Sequence, residues 1–167
     1  MNITSESAMI DFGRQFASKI KLPAVFELIG DVGTGKTTFT RGLAAGLGIV
    51  EPVTSPSFTI SKRYAFPLPT PAISQPASTV SQPTPSSSLS GELVHYDFYR
   101  LDDPGLMRDE LEETLSNPHS VVVVEWGGDV ADLLPSTKYS LHLELQADGS
   151  RNIIMNEHAK HAWEQTK

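Results

Sequence analysis

Among its 167 residues the chain has no cysteine. Disulfides and thiolate-held metal centres are excluded, and nothing in the composition asks for an oxidising compartment. Positive charge is scarce: 13 Lys and Arg stand against 20 Asp and Glu, a net charge of −7. A surface of that sign does not grip nucleic acid unaided. No apolar run approaches the roughly 20 residues that cross a bilayer. Residues 1–21 are too polar for a secretory leader. The expectation is a soluble cytoplasmic protein with no membrane attachment. Its length suits one domain with a sizeable core.

Charge is also missing locally. No charged residue occurs from Tyr64 through Gly91, and Phe66–Ser90 holds six of the twelve prolines and ten Ser or Thr. Such a stretch buries too little apolar surface to offset its ordering entropy. It is expected to be a flexible loop at 66–90, inserted between two strands of a single domain spanning 1–167. A ligand for a proline-recognising module is the other reading of this composition.

What is present begins with Gly30-Asp31-Val32-Gly33-Thr34-Gly35-Lys36-Thr37, which matches G-x-x-x-x-G-K-[ST] at every fixed position. The β-forming run Ala24–Ile29 precedes it, and a segment able to form a helix, Thr38–Leu47, follows. Strand, glycine loop and helix are the context in which that pattern cradles phosphate. The glycines let successive N–H groups point inward, and the helix aims its positive end at the same place. Lys36 would add charge between the β- and γ-phosphates, and the Thr37 hydroxyl suits Mg²⁺. The candidate nucleotide-binding residues are therefore Gly30, Asp31, Gly33, Thr34, Gly35, Lys36, Thr37 and Thr38.

Around this loop the periodicity predicts a helix over 5–20, capped by Ser5, with Met9, Phe12 and Phe16 on its apolar face. Its first turn, near Glu6, either packs on the sheet or reaches the base of a nucleotide. Gly46-Leu47-Gly48 ends the helix after the loop. Val53-Thr54-Ser55-Pro56-Ser57-Phe58-Thr59-Ile60 is either a segment ordered by γ-phosphate and Mg²⁺ or an ordinary strand behind a Ser-Pro turn. Phe58, Ile60 and Tyr64 suggest that a period-two strand starts here.

Leu93–Arg100 resumes a strand pattern, with Leu93, His95, Asp97 and Tyr99 on one face and Val94, Tyr96, Phe98 and Arg100 on the other. Asp is depleted in strands. Asp97 either acts on water or on a metal-bound water, or pairs with Arg100 or Lys62. Asp103 and Pro104 open the next helix, with Leu106, Leu111 and Leu115 inward and the acidic residues between them in water. Val121-Val122-Val123-Val124-Glu125 marks a strand buried on both faces with a carboxylate at its end. That is the Walker B arrangement, with Glu in place of the usual Asp. Residues 139–145 and 151–155 form a hairpin around Asp148-Gly149. From it Arg151 either reaches the nucleotide or stays a solvated edge charge. His142, His158 and His161 show no ligand spacing, and Trp163 is placed on a short terminal helix.

Taken together, the phosphate loop, Ser55-Pro56-Ser57-Phe58-Thr59, His95-Tyr96-Asp97-Phe98-Tyr99-Arg100-Leu101 and Glu125-Trp126 resemble the TsaE (YjeE) family of bacterial ATPases. These are required to make threonylcarbamoyladenosine in transfer RNA. The resemblance runs from about residue 5 to 155. It implies ATP held by residues 33–38, Mg²⁺ held by Thr37 and Glu125, and a catalytic set of Lys36, Asp97 and Glu125. It implies a switch around Ser55–Thr59 and slow hydrolysis by the isolated chain. It also implies docking on a two-protein threonylcarbamoyl-transferase complex of the TsaD and TsaB type, which ATP hydrolysis resets and which alone holds the tRNA. Two departures are Ser57, where the family usually has Thr, and the long 66–90 insertion. The expected fold is a three-layer α/β P-loop NTPase with a mixed central sheet. The alternatives are a small-molecule or nucleoside kinase of the same loop class and a non-catalytic ATP-sensing adaptor. A kinase usually carries a lid with clustered arginines, which this sequence lacks.

Overall fold

A computed structural model describes residues 1–68, 90–101 and 105–165. Its elements, in order, are β1 (Asn2–Ile3), α1 (Glu6–Ala17), β2 (Ala24–Ile29), α2 (Lys36–Gly46), β3 (Ser61–Pro67) and β4 (Ser90–Asp97). Then come α3 (Gly105–Leu115), β5 (Ser120–Glu125), a 3-10 turn (Gly127–Val130), β6 (Tyr139–Leu145), β7 (Arg151–Met155) and α4 (Glu157–Glu164). They build one seven-stranded sheet in the order β1-β7-β6-β2-β5-β4-β3. The central strands β6, β2, β5 and β4 are parallel, while β3, β7 and β1 join antiparallel at the edges. The sheet is mixed, and this is the α/β architecture the sequence predicts.

Val121–Val124 explains the layering. Val121 and Val123 pack into one core with Phe12 and Phe16 of α1, Phe39 and Leu43 of α2 and Ala159 of α4. Val122 and Val124 pack into a second core with Tyr96, Leu111 of α3 and Leu134. A strand buried on both faces reads as an unbroken apolar run because neither side meets water. Ser5 caps α1 by accepting from the Ala8 N–H at 3.1 Å, as expected. Trp163 of α4 lies against Phe12 and Phe16, with ring centroids 4.8 and 5.7 Å apart. His142, His158 and His161 are exposed.

Several boundaries differ from the expectation. The first helix stops at Ala17 rather than Ile20. No strand starts at Phe58, which is exposed. The N–H groups of Thr59 and Ile60 both donate to the Pro56 carbonyl in a tight turn, and β3 begins only at Ser61. Phe66, Pro67 and Ser90 belong to strands, not to the inserted loop; Pro67 pairs with Ser90 at the end of the β3–β4 hairpin. The rest of that loop, residues 69–89, lies outside the described residues, as do Asp103, Pro104 and the Leu106 side chain. Glu110 is not a water-facing acid of α3. It accepts from Arg63 at 3.1 Å, Ser61 at 3.2 Å and Tyr96 at 3.3 Å, tying α3 to the hairpin. Burial there pushes the Tyr96 phenol up to about 12.

Candidate functional site

In an open α/β sheet, ligands bind beyond the carboxyl ends of the parallel strands. Here β2 runs into the glycine loop, β4 ends at Asp97 and β5 ends at Glu125, all at that same edge. Asp97 and Glu125 are register partners on adjacent strands. Gly35 takes φ 102 and precedes α2, and no side chain caps the helix. Its first N–H groups and dipole are left for an anion.

Lys36 is buried, with Nζ donating to the Gly30 carbonyl at 2.7 Å and the Asp31 carbonyl at 3.0 Å. It also lies 3.9 Å from Glu125 Oε2 and 4.7 Å from the Trp126 ring centroid. Burial lowers its pKa, against the pull of Glu125, Asp97 and Asp31. Thr37 Oγ1 donates to Glu125 Oε1 at 3.1 Å. A hydroxyl and a carboxylate side by side are hard oxygen donors of the kind Mg²⁺ takes, with waters and phosphate oxygens filling the other positions. No cluster of three or more His, Cys, Asp or Glu able to hold a metal occurs among the described residues. A site completed by substrate oxygens does not need one.

Asp97 is buried, and its partners are neither Arg100 nor Lys62. Oδ2 accepts from Ser55 Oγ at 3.1 Å and from Ser57 Oγ, and the two serine hydroxyls are 2.7 Å apart. Oδ1 accepts from the Tyr99 N–H at 3.1 Å. That last bond closes an Asx turn and ends β4 at Asp97, three residues short of the predicted Arg100. Ile60 (φ 66) and Trp126 (φ 59) are the described non-glycine residues with positive φ. They flank the serine segment and Glu125, and such strain concentrates at functional sites.

These groups surround a cavity of about 340 Å³. Glu6, Gly33, Gly35, Lys36, Thr37, Thr38, Asp97, Glu125 and Arg151 from the predicted set line it. A Cβ on Gly33 would meet nothing within 4 Å, so the loop is open on that side. Gly30, Asp31 and Thr34 border a second hollow on the far side of the loop. Thr34 Oγ1 donates to the Asp31 carbonyl at 2.8 Å. Arg151 donates to the Gly149 carbonyl at 2.7 Å, and Glu6 lies 3.4 Å from Arg41. The sequence reading placed His95 in the strand motif but gave it no role; its Nε2 is 2.9 Å from Glu125 Oε1. Its signal was a His on the same strand face as Asp97. Tyr99, from the same motif as Asp97, also lines the cavity, as do Ser5 and Met9, which no motif flags.

Three comparisons bear on this arrangement. The family model described as "Threonylcarbamoyl adenosine biosynthesis protein TsaE" matches residues 3–153. The chain is similar to the tRNA threonylcarbamoyladenosine biosynthesis protein TsaE of Streptomyces coelicolor, at 32% identity over 81% of this chain and 78% of that one. It is similar to the Haemophilus influenzae protein of the same name at 30% identity, over 90% and 84% of the two chains. The Treponema pallidum protein is 34% identical over 79% and 81%. The crystal structure of Bacillus subtilis YdiB superposes with a TM-score of 0.67 at 24% identity, over 98% of this chain and 90% of that chain. This last likeness speaks to the fold alone.

Proposed function

The chain belongs to the TsaE family of threonylcarbamoyladenosine biosynthesis proteins, and from that premise we propose that it is an Mg²⁺-dependent ATPase. It acts in the cytoplasm by docking on a threonylcarbamoyl-transferase complex of the TsaD and TsaB type and resetting it between turnovers. One observation carries the reading. Thr37 of the phosphate loop and the carboxylate of Glu125, 88 residues apart in sequence, meet at 3.1 Å on the rim of one cavity, with Lys36 3.9 Å from the same carboxylate.

The residues divide the work. The N-terminus of α2 and the loop amides receive the phosphates, and Lys36 exchanges the carbonyls of Gly30 and Asp31 for phosphate oxygens. Thr37 and Glu125 would hold Mg²⁺, which when bound supplies charge stabilisation to the transferring phosphoryl group. Asp97, released from Ser55 and Ser57, orients the attacking water or a metal-bound water. Ser55 and Ser57 thereby couple the state of the nucleotide to the segment 53–60 on the protein surface. The net charge of −7 agrees with a partner, rather than this chain, holding the tRNA.

The test is ATP hydrolysis by the purified chain, with and without the two-protein complex, alongside modification of tRNA. Slow hydrolysis alone that rises with the complex, together with sustained modification that needs this chain, is the expected result. Hydrolysis indifferent to the complex, with modification that proceeds without the chain, would remove the proposal.

A further inference from the structure

His95 takes no part in the reading above, yet its surroundings give it a defined task. It is fully buried on β4, where its register partners are Lys62 of β3 and Val123 of β5. Its Nε2 stands 2.9 Å from Glu125 Oε1. An ionised carboxylate only accepts, so Nε2 carries the proton and donates. Nδ1 is buried with no hydrogen-bond partner among the described residues. A proton on Nδ1 would be a buried donor without an acceptor, which is costly. Both nitrogens therefore select the Nε2–H tautomer.

The consequence falls on Glu125. Its Oε1 accepts from two donors, His95 Nε2 and Thr37 Oγ1, while Oε2 faces Lys36 Nζ at 3.9 Å. Glu has one more rotatable bond than the Asp usual at this strand end, and a longer side chain needs an extra anchor to hold one rotamer. We propose that His95 is the positioning residue that locks Glu125, through Nε2–H, in the rotamer from which its carboxylate reaches Mg²⁺ beside Thr37. This rests on the reading of Glu125 as a metal ligand. Partners that orient metal ligands typically change metal affinity by about 10–100-fold when removed.

The test is ATP affinity by calorimetry on the full chain, with Mg²⁺ and with chelator, for wild type, His95→Leu, His95→Gln and Glu125→Gln. Leu replaces the ring without a donor, and Gln returns an amide donor. The gain in ATP affinity conferred by Mg²⁺ should fall by roughly 10-fold or more in His95→Leu. His95→Gln should recover part of it, and Mg²⁺-free affinity should stay at the wild-type value in both. An unchanged Mg²⁺ gain in His95→Leu, or an equal loss with and without Mg²⁺, overturns the proposal. Glu125→Gln separates the two layers. If it too keeps the wild-type gain, the metal reading of Glu125 fails; if it loses the gain while His95→Leu does not, only the role of His95 fails. Should His95→Leu not fold, ¹⁵N-histidine NMR on the wild type decides. A hydrogen-bonded Nε2–H that shifts when Mg²⁺ is added to the ATP complex supports the proposal. An Nδ1–H tautomer, or an Nε2–H indifferent to Mg²⁺, overturns it.

Discussion

Lys36 and Glu125 sit at the same place and are expected to fail differently when changed. Lys36 Nζ is held by two carbonyls at 2.7 and 3.0 Å in a buried position, poised where phosphate would arrive. Hydrogen bonds to charged groups contribute about 1.5–3 kcal/mol. Lys36→Ala should therefore weaken ATP binding by a factor on the order of 10–100, measured by calorimetry; unchanged affinity would remove the phosphate-loop reading. Glu125→Ala should lower Mg²⁺-dependent hydrolysis by at least about 10-fold while Mg²⁺-free ATP affinity changes less, because the carboxylate acts through the metal and the charge it stabilises. Unaffected hydrolysis would show that the metal assignment is wrong. Lys36 and Glu125 drew notice in the sequence through motif positions and Asp97 as an aspartate within a strand, and the structure brings the three to one cavity. The partners of Asp97 were not legible. Ser55 and Ser57 lie 42 and 40 residues away from it, and nothing local in the strand pattern connects them.

At the scale of elements, the phosphate loop is held by a close helix crossing. A Cβ on Gly42 of α2 would stand 2.1 Å from the Ile10 carbonyl oxygen of α1, and one on Gly13 would stand 2.4 Å from the Phe39 carbonyl oxygen. The two helices touch backbone to backbone, which only glycine permits. Gly42→Ala should cost about 1–3 kcal/mol of stability through overpacking, read as a lower urea midpoint. A wild-type midpoint would mean that the helices separate without penalty. Gly42 has poor helix propensity, so this need was invisible in the helix pattern. Element ends were the weakest part of the sequence reading for a related reason. Strand β4 stops because the Asp97 side chain captures the Tyr99 N–H, and β3 starts late because Pro56 gathers two N–H groups. Both are side-chain or turn events that override a continuing alternation.

Across the whole molecule, the β3–β4 hairpin closes at Pro67–Ser90, and β4 then runs seven residues to Asp97. At about 3.3 Å per residue, the inserted segment leaves the sheet roughly 23 Å from the cavity edge. Replacing residues 69–89 with a two-residue Asn-Gly turn should leave ATP affinity within about twofold and the melting temperature within a few degrees. A loss of affinity would tie the insertion to the nucleotide site. No helix among the described residues is long and apolar enough to cross a membrane, in keeping with the short apolar runs of the sequence.

What the amino-acid sequence determined by itself is what depends on neighbours along the chain. The glycine loop between strand and helix, the valine run ending in Glu125 and the alternation of β4 are all local patterns with a stated physical need, and the mixed α/β sheet follows from their order. The tertiary structure decided what depends on neighbours across the sheet. It placed Asp97 beside Glu125 as register partners, turned Gly30, Asp31 and Thr34 to the far side of the loop, and set a buried His95 against the Glu125 carboxylate. Strand order and register create those contacts, and no spacing along one strand encodes which strand will lie next to it.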